Sequence, residues 1–120
     1  MTTQWMRSRG RMVYKVVISR LAQSQLSRYI GYIKRQLGNS QAAQAVLLDA
    51  RETKKALLQT AESLPFCRDP DLQAMGYRLI HFRRHRYVFL YEVREQIVYV
   101  EAVYHELQDY ENTFKKEILH

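Results

Sequence analysis

Between Tyr77 and Tyr104 the chain offers little but strand. Three runs rich in β-branched and aromatic residues, 77–82, 86–93 and 97–104, are separated by connections too short to hold a helix. The second link, Arg94-Glu95-Gln96, is a short polar turn. Strands joined this tightly must run antiparallel, so the segment reads as a meander. A sheet of this kind needs apolar cover on at least one face, and the preceding residues have to supply it.

They have the right pattern. Val13–Ile18 is short and β-branched and reads as a first strand, with Ser19 placed to cap a helix. Ala22, Leu26, Ile30 (with Tyr29), Ile33 and Leu37 then recur at steps of three and four, the apolar face of an amphipathic helix. Gly38-Asn39-Ser40 stops it, and Ser40 is the expected cap of a second helix over 41–63. Ala43, Leu47, Ala50, Leu57, Ala61 and Leu64 form that helix's seam, with Arg51, Lys54 and Lys55 off it. Leu64-Pro65 ends it, 66–75 reads as a loop, and Tyr110–Leu119 as a short final helix with Asp109 as its cap. The expected fold class is α+β: β-α-α-β-β-β, with a helical hairpin on one face of a mostly antiparallel sheet. The other face is expected to be partly open, which is where a site would sit.

At 120 residues this is one domain, with residues 1–12 as a flexible basic extension and 13–120 as the folded unit. The net charge of +7 favours a polyanion, an acidic protein or a membrane surface as partner. The charge is uneven: from Glu95 onward six carboxylates face only Lys115 and Lys116. Six of the nine residues from Arg78 to Arg86 are basic, with Tyr77, Phe82, Tyr87, Phe89 and Tyr91 among or beside them. Cys67 is the only cysteine, so neither an internal disulfide nor a Cys-based metal site is expected, and a reducing cytoplasm is the natural compartment. No run approaches the length of a membrane span. No cofactor, metal or membrane contact is expected.

These elements carry a resemblance. Ile18-Ser19 with Ala22, Tyr29-Ile30, Tyr32-Ile33, Leu64-Pro65, Pro70-Asp71-Leu72, Gly76-Tyr77-Arg78, Tyr87–Tyr91 and Val103–Tyr110 follow one another as in the RelE/ParE superfamily of type II toxin–antitoxin toxins. The resemblance spans about 13–115. It implies a toxin neutralised by a cognate antitoxin, with one of two activities. RelE-like members are ribosome-dependent mRNA endoribonucleases (mRNA interferases), whereas ParE-like members block DNA gyrase and cut nothing. A degenerate toxin that only pairs with its antitoxin is a third reading.

Metal-free RNA cleavage needs a base for the 2′-hydroxyl, cations for the developing phosphorane charge and an acid for the leaving oxygen. Arg78, in the Gly-Tyr-Arg strand, is the expected phosphate ligand. His105, after the last strand, is the expected base or acid, and Tyr110 the expected stacking or proton-transfer group. Arg83, Arg84 and Arg86 at the turn, with Lys54 and Lys55, are the expected RNA- or ribosome-binding residues. Glu52 is a weaker choice for a carboxylate base. Strict alternation puts Arg78, Ile80 and Phe82 on one face and Tyr77, Leu79 and His81 on the other. Arg78 and His81 should therefore point apart. With the resemblance, the +7 charge favours the mRNA endoribonuclease; gyrase inhibition stands as the alternative.

Overall fold

The computed structural model describes residues 15–119. The expected extension over 1–12, and Val13 and Tyr14 of the expected first strand, lie outside the described residues. The elements are β1 (Lys15–Ile18), α1 (Arg20–Arg35), α2 (Ser40–Thr60), α3 (Pro70–Ala74), β2 (Arg78–His81), β3 (Tyr87–Arg94), β4 (Ile97–His105) and α4 (Tyr110–Ile118). The sheet order is β1-β4-β3-β2. The meander is antiparallel, and β1 returns parallel to β4 at the far edge. The α+β expectation therefore holds, with one parallel pair.

Local chemistry sets the ends of the elements. Ser19 caps α1 by accepting from the Ala22 N–H at 3.0 Å, and its hydroxyl donates to the Glu101 carbonyl at 2.7 Å, tying the cap to β4. Gly38 ends the hairpin's first arm with φ of 60°. Asn39, rather than the expected Ser40, caps α2 by accepting from Ala42 N–H at 2.9 Å. α2 ends at Thr60 and passes into a single 3₁₀ turn over Ala61–Ser63. The stretch read as loop contains α3, opened by Asp69 as cap and Pro70 in the first turn, a position that suits proline's missing N–H.

The hairpin α1–α2 covers one sheet face with Ala22, Val46, Ala50 and Leu57 against Phe89, Tyr91, Val98, Val100 and Val103. The other face, expected to be partly open, is covered over its centre. Val88, Leu90, Ala102 and Tyr104 are buried there under Cys67, Leu72 and Phe114. Four such residues on one face require apolar cover, and the single turn of α3 and the nine residues of α4 are enough to give it. A bulge completes the geometry: Leu90 pairs with Ala102 but Tyr91 with Val100, leaving Glu101 as the extra residue.

Candidate functional site

Three regions hold the residues that sequence points to. The first is the basic corner, residues 82–86 between β2 and β3. Asp49 lies on the buried stripe of α2 with Val46, Ala50, Thr53 and Leu57, and is only 1% exposed. Its carboxylate accepts from the backbone N–H groups of Arg83 (3.3 Å) and Arg84 (2.9 Å) and contacts His85 Nδ1 at 2.7 Å. Burial works to raise its pKa, but the hydrogen bonds from His85, Arg84 and Arg83 outweigh burial and hold it below the ordinary value. Asp49 thus clamps the turn to α2 and leaves the arginine side chains outside. Arg84 reaches Glu52 at 2.8 Å, and with Lys55 and Arg83 it borders a shallow concavity of about 470 Å³. Lys54 is exposed on the same helix but outside that lining.

The expected catalytic set is dispersed. Arg78 faces the helical hairpin, as the alternation requires. Its guanidinium donates to the Leu64 carbonyl and lies over the Phe66 ring, 3.9 Å from the centroid. Phe66 also bridges Arg78 through the backbone, so Arg78 secures the return of the chain along the edge of β2. His105 packs edge-on against Tyr87, and its Nδ1 accepts from Leu107 N–H at 3.2 Å, closing the turn after β4. Tyr110 stacks on Tyr104 on the opposite face of the sheet from Arg78. The register separates Arg78 from His105 as well. Arg78 pairs with Tyr91 and His105 with Tyr87 on β3. Four residues along a strand and two strands across amount to ~17 Å.

The third region is a groove of about 770 Å³ between the edge of β2 and the start of α4. His81, Tyr110 and Arg68 line it, with Asp69, Asp109 and Glu111. Glu106 holds His81 Nδ1 at 2.7 Å and Arg86 Nε at 3.5 Å, and the His81 contact is the main reason its carboxyl sits below the usual range. Glu111 accepts the backbone N–H groups of Arg68 (3.1 Å) and Asp69 (2.7 Å). Asp109 starts α4, but its side chain takes the Asn112 amide at 2.9 Å instead of a backbone N–H. Carboxylates therefore outnumber cations in this groove of a basic chain, which disfavours a phosphate backbone there. Cys67 beneath it is buried, and burial with Glu111 and Asp69 nearby pushes its thiol up to about 12, so it is no nucleophile at neutral pH.

Sequence reading missed Asp49 and Glu106. Asp49 was legible: an acid at the i+3 position of an apolar stripe must be paired when buried, and the basic turn is the partner. Glu106 gave no comparable signal, because its partners are set by where β2 and β4 end.

A family model described as "ParE toxin of type II toxin-antitoxin system, parDE" matches residues 16–110. Among solved structures, a chain from "Chromosomal ParDE TA system from P. aeruginosa" aligns with a TM-score of 0.64 and 18% identity. The alignment covers 79% of this chain and 97% of that one. At that identity the likeness is one of fold. No curated protein sequence matches.

Proposed function

This chain belongs to the ParE toxin family of type II toxin–antitoxin systems, and from that premise we propose that it is a non-enzymatic inhibitor of DNA gyrase, held inactive in the cytoplasm by its cognate antitoxin. The observation that carries this reading is the dispersal of Arg78, His105 and Tyr110. A base, a phosphate ligand and an acid must converge within hydrogen-bonding reach of one scissile phosphate. Here Arg78 is committed to Leu64 and Phe66, and Tyr110 lies across the sheet from it. The mRNA endoribonuclease, expected from the resemblance, the charge and the Arg78, His105 and Tyr110 set, is the less well supported activity.

The cations then have a different use. Arg83, Arg84 and Arg86, with Lys54 and Lys55, form a target-facing surface whose backbone is fixed by Asp49. A surface of that kind steers association without performing chemistry. Induced expression is expected to trigger the DNA-damage response while translated mRNA stays intact by primer extension. Cleavage of translated mRNA, lost in Arg78→Ala and His105→Ala, would contradict the proposal. Expression without growth arrest would leave a degenerate toxin that pairs only with its antitoxin.

A further inference from the structure

The composition of the basic corner narrows which macromolecule it fits. Arg83, Arg84 and Arg86 are exposed along the turn. Lys55 borders the concavity with the first two, and Arg51 is exposed one helical turn before it on α2. Two carboxylates oppose these five cations: Glu52 holds Arg84 at 2.8 Å, and Glu106 holds Arg86 more loosely at 3.5 Å. The surface keeps a positive excess with both pairs formed.

What the surface lacks points to its partner. A protein interface is held by large apolar or aromatic anchors in pockets that exclude water, and lysine is depleted from its centre. The wall of the concavity offers Ala56 as its one apolar residue, beside Gln59 and Thr60. Leu48, the exposed large apolar side chain of α2, lies outside that wall. Single-stranded nucleic acid calls for aromatic faces on which bases stack. Phe82 and Tyr87, which flank the turn, are buried, and the His85 ring is held by Asp49 at 2.7 Å. Cations without anchors or stacking platforms match the regularly charged backbone of a duplex. By accepting the Arg83 and Arg84 N–H groups, Asp49 fixes where both side chains start, which lowers the ordering cost of gripping phosphates.

We propose that the corner grips the phosphate backbone of duplex DNA, with Arg83, Arg84, Arg86, Arg51 and Lys55 as its phosphate ligands. The proposal rests on the gyrase reading, since gyrase holds duplex DNA. It makes the enzyme's bound DNA, rather than the enzyme's own surface, the partner of the corner. Glu52 opposes the contact twice, by repelling phosphate and by holding Arg84.

The test is fluorescence anisotropy of a labelled DNA duplex titrated with the full-length toxin, without gyrase, from about 50 to about 200 mM salt. Log affinity is expected to fall against log salt with a slope of about −4. Arg83→Ala/Arg84→Ala leaves both backbone N–H groups on Asp49, and should weaken binding about tenfold and flatten the slope by about 2. Arg20→Ala/Lys116→Ala removes the same charge from the exposed start of α1 and from α4, and should weaken it less than about threefold. Glu52→Gln should tighten binding by about threefold, whereas a protein contact made through Glu52 would weaken. Purified gyrase separates the two readings. Inhibition of supercoiling by a toxin whose wild type and Arg83→Ala/Arg84→Ala forms bind the duplex alike keeps gyrase as the target and overturns the DNA contact. Duplex binding with the expected losses, but with full supercoiling, retires gyrase and leaves the DNA surface standing. No duplex binding at the lowest salt, equal losses in the two double variants, or tighter binding of single-stranded DNA or duplex RNA would overturn the proposal.

Discussion

The basic corner and the groove beside α4 are linked by Glu106, which holds Arg86 of the one and His81 of the other, and they treat charge in opposite ways. At the corner one buried carboxylate, Asp49, takes two backbone N–H groups and His85, and leaves the arginine side chains exposed, Arg84 beside Glu52 and Arg86 beside Glu106. Beside the groove Glu106 takes His81 and Arg86, within it Glu111 takes two backbone N–H groups, and acids dominate the rest of its lining. A formal charge of +7 therefore does not mark this groove as a polyanion site. The positive surface lies where an acid is hidden beneath it.

The largest break in that contrast is Asp49→Ala. It leaves the Arg83 and Arg84 N–H groups and His85 without their acceptor, and should lower stability by about 3 kcal/mol in urea unfolding. Gyrase inhibition should fall with it, because the corner loses its backbone anchor. With Asp49 intact, its folded pKa lies below the unfolded one. Its contribution is present above the unfolded value and is lost as pH falls through the folded value, so acid should release the corner.

Glu101, at the bulge, sharpens the comparison because it is a half-buried acid without Asp49's donors. Burial first, then the hydrogen bond and charge of neighbouring Glu92, raise it to about 7. The sign is reversed: the folded state binds the proton more tightly, so stability is full below the unfolded pKa and declines as pH rises through 7. Thermal melts should show Tm falling as pH rises from 4.5 to about 7 and levelling above it, and Glu101→Gln should remove most of that slope. In the groove, Glu111→Ala should cost about 1 kcal/mol by loosening the Arg68–Asp69 turn, with gyrase inhibition unchanged. Lys54→Ala, on an exposed helix face, should move stability by less than ~0.5 kcal/mol.

Much of the fold was legible because it rests on periodicity. The α1 stripe, the tight Arg94–Gln96 link and the alternation that turns Arg78 away from His81 follow from spacings of 3.6 and 2. The cover on the second face was not legible. Leu72 and Phe114 lie on short helices whose docking depends on tertiary contact, and α3 is one turn within a segment dense in proline and aspartate. The candidate site was legible only as residue types. Arg78 carries the right chemistry for phosphate, but the Leu64 carbonyl and Phe66 ring that occupy it arrive from the end of the helical hairpin, which no local pattern announces.

The most direct measurement is supercoiling of relaxed plasmid by purified gyrase in the presence of the toxin. The expected result is dose-dependent loss of supercoiling, reversed by the antitoxin, unchanged in Tyr110→Phe and weakened when Arg83, Arg84 and Arg86 are replaced together by alanine. Full supercoiling at saturating toxin, from a preparation that cleaves ribosome-bound mRNA, would contradict it.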